Sequence, residues 1–148
     1  MPAMPRILAA VMAIAASTGA LAKPPAGAAV DGFGGFFFRA EDPKALATWY
    51  AEMLGVDRTP TTYEEMPWRQ AAGPTVFGPF EATTTYFDAP DKVFMLNFRT
   101  KDLDALVAHL RANEIDVAVD EKTYPNGRFA RLKDPEGNPI QLWEPAAE

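Results

Sequence analysis

The segment from Arg128 to Pro145 constrains the fold more than any other part of the chain. At its centre, Asp134-Pro-Glu-Gly137 has the composition of a tight turn, because Pro135 sets φ to about −65° and Gly137 tolerates a positive φ. The residues on either side alternate between two faces, which is typical of strands with one face packed on helices. The segment is therefore predicted to be a β-hairpin.

Length and composition limit the class of protein. The chain has 148 residues, which is enough for one domain with a core and too few for two. Its net charge of −6 argues against non-specific binding of nucleic acid. It has no cysteine, so disulfide bonds and thiolate metal sites are excluded. Its single histidine excludes any site that needs two imidazoles from one chain.

The N-terminal segment has the organisation of a signal peptide. Arg6 precedes an apolar run of about ten residues, too short to span a bilayer, and Ala20-Leu-Ala22 is a small-x-small cleavage site. Residues 1–22 are therefore predicted to be cleaved and residues 23–32 to form a linker. The mature protein is then predicted to be periplasmic or secreted. A frayed or membrane-anchored N-terminal helix is the alternative.

The rest of the chain contains one unit twice. The stretch from Phe38 to Leu46 matches the stretch from Phe98 to Leu106 in five of nine positions. In each copy, a strand precedes an aspartate that can cap an amphipathic helix. The unit is predicted to be strand–helix–three strands. Since one such unit cannot bury both faces of its sheet, the two should pair around a shared cleft.

The two units, named module one and module two, have predicted boundaries. Module one covers about residues 33–80, a connecting loop covers 81–92, and module two covers about 93–145. The predicted strands are 33–40, 59–64, 68–72 and 75–80 in module one, and 93–100, 117–119 and two within 128–145 in module two. Four prolines make the three later strands of module one uncertain in extent.

The hairpin and the two strand–capped-helix openings resemble the vicinal oxygen chelate superfamily, which includes glyoxalases, bleomycin-resistance proteins and extradiol dioxygenases. The resemblance covers about residues 33–145. It implies an α+β fold of two paired βαβββ modules, the glyoxalase/bleomycin resistance-like fold. It also implies a homodimer, which would cover open strand edges. The superfamily hosts unrelated chemistries, so the resemblance does not settle the function.

The resemblance also implies where a metal would be bound. In metal-dependent members, a His, Glu or Gln from the first and last strands of each module points into the cleft. The corresponding positions here are Gly35, Thr75, Met95 and Gln141, of which only Gln141 is a credible ligand. No metal site and no cofactor are therefore expected.

Other reactive side chains do not indicate a catalytic site. His109 lies off the apolar stripe of the second helix and is predicted to be exposed. Glu64, Glu65 and Glu144 are predicted to be solvated surface residues. No nucleophile motif or phosphate-binding loop occurs, so the catalytic residues, if any, stay unknown.

Strand alternation assigns a set of residues to the cleft. The predicted ligand-binding residues are Phe37, Arg39, Met95, Asn97, Arg99, Arg131, Gln141 and Trp143. Arginine presents a fork of donors that suits carboxylate or phosphate, and the aromatic residues supply flat apolar walls. The mixture predicts a pocket for a small anionic or part-aromatic molecule. Alternatively, Asp or Glu residues at the rim of the sheet pair with these arginines.

Three functions stay open at this point. The first is an exported, metal-free protein that binds a small molecule, with no nucleic-acid partner and no membrane association in the mature form. The second is an enzyme of the same superfamily, a lyase, isomerase or dioxygenase with an atypical metal or none. The third is a non-catalytic interaction module whose own side chains fill the cleft.

Overall fold

The computed structural model describes residues 19–147, which belong to two units: the first ends at Phe37 and the second begins at Phe38. In the first unit, residues 19–37 contain turns and bends but no helix or strand, and their side chains are exposed. Most of the predicted signal peptide lies outside the described residues, so its cleavage stays a prediction. Within the described part of the chain, no helix is long and apolar enough to cross a membrane.

The second unit has two helices and four strands. They are α1 (Pro43–Leu54), β1 (Leu96–Arg99), α2 (Leu103–Ala112), β2 (Ala118–Val119), β3 (Gly127–Lys133) and β4 (Pro139–Pro145). The strands form one sheet in the order β1-β4-β3-β2. β1 runs parallel to β4, and the other neighbours are antiparallel. The α+β class is confirmed, and the series β1-α2-β2-β3-β4 is the unit predicted for module two.

The two helices begin in the same way, as the sequence repeat predicts. Asp42 Oδ1 accepts a hydrogen bond from the backbone N–H of Ala45, and Asp102 Oδ1 accepts one from Ala105, each at 2.9 Å. Each aspartate thus satisfies one of the free N–H groups at a helix N-terminus. α1 ends at Gly55, whose φ of 69° lies in the left-handed region.

Both helices contribute to one core on one face of the sheet. The buried core residues are Leu46, Tyr50, Leu103, Val107, Leu110, Val117, Ala130, Leu132, Ile140 and Leu142. The strand register places Ile140 between Leu96 and Leu132, so neighbouring strands present apolar side chains to the helices together. Burial of each large aliphatic side chain stabilises the fold by about 1.5–3 kcal/mol.

The predicted turn at Asp134 also joins the hairpin to α1. The Asp134 carboxylate is buried and accepts hydrogen bonds from the backbone N–H groups of Glu136 and Asn138, each at 2.9 Å. It also accepts from Asn138 Nδ2 and from the Tyr50 hydroxyl, each at 2.7 Å. Gly137 takes a φ of 78°, as the turn requires. Four donors thus compensate the burial of this charge.

The strand predictions for module one are wrong. None of the predicted strands over residues 33–40, 59–64, 68–72 and 75–80 forms in the described structure, and residues 56–80 consist of turns, bends and irregular backbone. Four prolines in residues 60–79 explain much of this, because proline lacks the N–H that a ladder requires. The helix of module one does form as predicted, and it packs on the sheet of module two.

The prediction of a solvated surface role is wrong for Glu144. This side chain is partly buried, and its Oε2 accepts a hydrogen bond of 2.7 Å from the backbone N–H of Leu103 at the start of α2. Its other carboxylate oxygen lies 3.6 Å from Arg128 Nη1. The end of β4 brings the carboxylate to a helix N-terminus, where negative charge is favoured. Glu64, Glu65 and His109 are exposed, as predicted.

Candidate ligand-binding site

The face of the sheet opposite the helices carries two rows of side chains across β1, β4 and β3. The first row is Asn97, Gln141 and Arg131, and the second is Arg99, Trp143 and Phe129. These six residues are called the polar face below. All but Phe129 belong to the predicted ligand-binding set. The register brings these five together because strand alternation directs them away from the core.

Gln141 lies at the centre of the first row. Its side chain is buried, and both ends of its amide make hydrogen bonds. Its Oε1 accepts from Asn97 Nδ2 at 2.8 Å, and its Nε2 donates to the Tyr86 hydroxyl at 3.0 Å. Because the bond to Asn97 uses the carbonyl end, the amide presents its N–H donors towards Tyr86.

Arg131 lies over the ring of the same tyrosine. Its guanidinium carbon is 4.2 Å from the centroid of the Tyr86 ring, which is a cation–π geometry. One of its nitrogens also donates to the Tyr86 backbone carbonyl. Phe80, which lies shortly before Tyr86 in the chain, stacks on the tyrosine ring with centroids 5.3 Å apart and an interplanar angle of 16°. The first row is thus partly covered by an aromatic side chain of the connecting loop.

The second row combines an aromatic wall with another cation. Trp143 and Phe129 stack with an interplanar angle of 5° and centroids 6.1 Å apart. The indole N–H of Trp143 donates to the Asn126 carbonyl at 2.8 Å, which fixes the ring. Arg99 donates to the Ala71 carbonyl at 2.9 Å. The chain passes so close here that a Cβ at Gly73 would overlap the Arg99 guanidinium.

No carboxylate among the described residues forms an ion pair with Arg99 or Arg131 of this face. Within residues 19–147, the ion pairs shorter than 4.0 Å join Arg128 to Asp104 and to Glu144. Arg99 and Arg131 instead donate to backbone carbonyls. The predicted alternative, in which Asp or Glu pairs with these arginines, is therefore not what the structure shows for these two.

The other three predicted residues are not part of the polar face. Phe37 belongs to the first unit, where its side chain is 91 % exposed. Arg39 lines a separate groove together with Lys92 and Glu136. Met95 lines a cavity of about 560 Å³ near the hairpin turn, and Arg131 also contributes to its wall. For all eight residues, binding of a ligand stays a prediction.

Sequence reasoning missed the aromatic residues that complete the site. Phe129 shares a face with Arg131 by alternation, so its position could have been included. Tyr86 lies in a turn and Phe80 lies shortly before one, where no periodicity indicates which side chains face the sheet. The clustering of aromatic residues at positions 80, 86 and 87 is the sequence feature that could have indicated a contribution of this segment to the site.

The residues at the family's metal positions do not fit a divalent ion. Gln141 already uses both ends of its amide, and its carbonyl oxygen is hydrogen-bonded to Asn97. Met95 supplies a thioether and Thr75 a neutral hydroxyl, both poor ligands for hard cations. Gly35 has no side chain. Within residues 19–147, no group of three His, Asp or Glu residues is arranged to hold a metal ion.

The fold and this face define a class: a βαβββ unit whose sheet packs on helices through one face and carries polar and aromatic residues on the other. Residues 35–143 match the Glyoxalase-like domain. The chain therefore belongs to the glyoxalase-like domain family of the vicinal oxygen chelate superfamily, as the sequence predicts. A search of curated proteins found no match.

Several solved structures are similar to this chain. A glyoxalase/bleomycin resistance protein from Streptomyces sp. CB03234 is 38% identical over 35% of this chain and 46% of its own, with a TM-score of 0.32. The match thus spans less than half of that protein. TnmS3, an antibiotic binding protein from the same source, is 28% identical over 72% of this chain and 88% of its own, with a TM-score of 0.45. A glyoxalase family protein from Bacillus anthracis is 18% identical over 67% and 80%, with a TM-score of 0.42.

Proposed function

We propose that this protein binds a small aromatic molecule with an anionic group on the polar face, without the help of a metal ion. The observation that supports this most strongly is the pair Arg99 and Arg131. Both lie on one face of the sheet beside aromatic side chains, and neither has a carboxylate within 4.0 Å among the described residues. A guanidinium that donates to a neutral carbonyl keeps its full charge for an anionic partner.

The aromatic residues supply the apolar part of such a site. Trp143 is only 8% exposed, but it stacks on Phe129, which is partly exposed and presents a flat apolar ring in the same row as Arg99. A ligand ring placed against such a surface would bury apolar area, while its carboxylate would reach a guanidinium at the edge. This is the usual composition of a small-molecule site, mostly apolar with a few convergent polar groups.

The metal-free and exported character of the protein are part of the proposal. The donor set around Gln141 supports the first, since it offers one neutral amide oxygen that is already hydrogen-bonded. Elemental analysis of the purified protein tests the metal-free state, and one metal ion per chain that is lost on Gln141→Ala would contradict it.

The signal-peptide pattern supports the export of the protein. Mass spectrometry of the secreted or periplasmic form should find a chain that begins at Lys23.

A thermal unfolding experiment with sodium benzoate tests the binding function. A ligand that binds only the folded state adds RT ln(1 + [L]/Kd) to the free energy of unfolding, so the Tm should rise steadily with benzoate concentration. Sodium chloride of equal ionic strength controls for the effect of salt, and cyclohexanecarboxylate for the aromatic ring. A Tm that responds to benzoate no more than to sodium chloride would contradict the proposal.

A further inference from the structure

Tyr86 lies on the polar face in the way that a bound phenol would. Its hydroxyl accepts a hydrogen bond from Gln141 Nε2 at 3.0 Å, and its ring centroid is 4.2 Å from the Arg131 guanidinium carbon. We propose that the ligand of this site carries a phenol ring, and that Tyr86 occupies the position of this ring when no ligand is bound. The inference rests on the proposed function and names the chemical class that the same site selects.

The two contacts together favour a phenol over other aromatic rings. Gln141 is oriented by Asn97 so that it offers N–H donors, which require an acceptor oxygen on the ring. The Arg131 cation over the ring face favours an electron-rich ring, and a hydroxyl substituent makes the ring richer. An unsubstituted ring would leave the buried amide of Gln141 without its acceptor, which costs binding free energy.

The position of Tyr86 in the chain allows it to leave the site. It lies between α1 and β1 in a segment of turns, outside any helix or strand. The neighbouring backbone–backbone hydrogen bonds are local, from Thr84 to Glu81 and from Asp88 to Thr85, and the Tyr86 carbonyl also accepts a bond from Arg131 of the sheet. A phenol that displaces the tyrosine side chain would re-form the hydrogen bond with Gln141 and the ring contact with Arg131, and the backbone bonds of this segment need not break.

Competition of this kind has a measurable consequence. The affinity of a ligand falls in proportion to the fraction of molecules whose site is open. If Tyr86 closes the site in about nine molecules of ten, its removal should tighten phenol binding by about tenfold. The tyrosine is 43% exposed, so its truncation leaves no large cavity in the core.

The test is a calorimetric titration of p-cresol, which is the tyrosine side chain itself, into wild type, Tyr86→Ala and Tyr63→Ala. Tyr63 is fully exposed and serves as the matched control. Toluene, which lacks only the hydroxyl, is titrated in parallel. Tyr86→Ala should bind p-cresol at least about tenfold more tightly than wild type, Tyr63→Ala should equal wild type, and toluene should bind more weakly in every variant. If Tyr86→Ala does not fold, Tyr86→Phe should show a smaller gain in the same direction, because it lacks the bond to Gln141.

The outcomes separate this inference from the proposed function. Equal p-cresol affinity in wild type and Tyr86→Ala would overturn the role of Tyr86. Toluene binding as tight as that of p-cresol would overturn the choice of a phenol. In both cases, benzoate binding that weakens in Arg131→Ala would leave the proposed function intact. If neither p-cresol nor benzoate binds to wild type or to Tyr86→Ala, both proposals are wrong.

Discussion

The Tyr50 hydroxyl donates a hydrogen bond of 2.7 Å to Asp134 Oδ2, and this bond joins α1 of module one to the hairpin of module two. Both side chains are buried, with 7% and 4% of their surface exposed. The residues are 84 positions apart in the chain. The bond therefore helps to hold the helix against the hairpin that carries Arg131, Gln141 and Trp143.

Replacement of Tyr50 by phenylalanine should destabilise the protein with little change in shape. A hydrogen bond to a buried charged group contributes about 1.5–3 kcal/mol, and its loss leaves the Asp134 carboxylate with one donor fewer. Chemical denaturation should show that decrease in the free energy of unfolding for Tyr50→Phe. Tyr63→Phe, at a fully exposed tyrosine, should behave as wild type. Equal stability of the two variants would show that the bond contributes nothing.

The same bond predicts a dependence of stability on alkaline pH. Burial, followed by the hydrogen bond to Asp134, raises the pKa of Tyr50 well above its usual value of 10.0. Above pH 10 the unfolded chain therefore loses this proton while the folded chain keeps it. The stability due to Tyr50 is complete below pH 10 and should then fall with rising pH, by at most about 1.4 kcal/mol per pH unit.

Denaturation curves of wild type and Tyr50→Phe at a series of pH values would check this dependence. The stability difference between the two proteins should be constant up to about pH 9 and shrink above about pH 10. The comparison cancels the titration of the other tyrosines and of the lysines. A difference that stays constant through this range would mean that the pKa of Tyr50 is not raised.

Gly127 should tolerate no side chain, in contrast to Gly137 in the same hairpin. Gly127 has a φ of 128°, and a Cβ there would overlap the Glu144 carbonyl and lie 2.9 Å from Trp143 Nε1. Gly137 also has a positive φ, of 78°, but open space surrounds its Cβ position. Gly137→Ala should therefore cost about 1–3 kcal/mol of backbone strain, and Gly127→Ala clearly more. Measured stabilities in the reverse order would contradict this account of the hairpin.

A homodimer is predicted from the sheet and from the family. β1 and β2 are the edges of the described sheet, and such edges commonly need cover. Light scattering of the purified protein at micromolar concentration should give twice the mass of one chain. A single species with the mass of one chain would contradict the prediction.

The sequence predicts module two well because most local signals there agree with the tertiary structure, although the strand predicted over residues 93–100 forms only at Leu96–Arg99. The alternation around Ile140, the turn at Asp134 and the cap at Asp102 each act within a few residues. The faces of β1, β3 and β4 follow from that alternation, and so do the five polar-face residues that the sequence predicts.

The remaining features depend on contacts that no local pattern records. The sequence predicts short strands in module one, with bounds that its prolines make uncertain, and the structure has irregular chain there instead. Glu144 caps α2 only because the sheet brings the end of β4 to the helix. Tyr86 reaches Gln141 from a loop, where the side-chain direction is set by tertiary packing rather than by periodicity.

The most direct test of the proposed function is a calorimetric titration of sodium benzoate into wild type, Arg131→Ala, Arg99→Ala and Arg58→Ala. Arg58 is an exposed arginine beyond the end of α1 and serves as the matched control. If the polar face binds the carboxylate through a charge-assisted hydrogen bond, loss of Arg131 or Arg99 should weaken binding by about 1.5–3 kcal/mol, roughly ten- to a hundredfold. Arg58→Ala should bind as wild type does. Equal affinity in all four proteins, or no binding to wild type, would contradict the assignment of the polar face as the ligand-binding site.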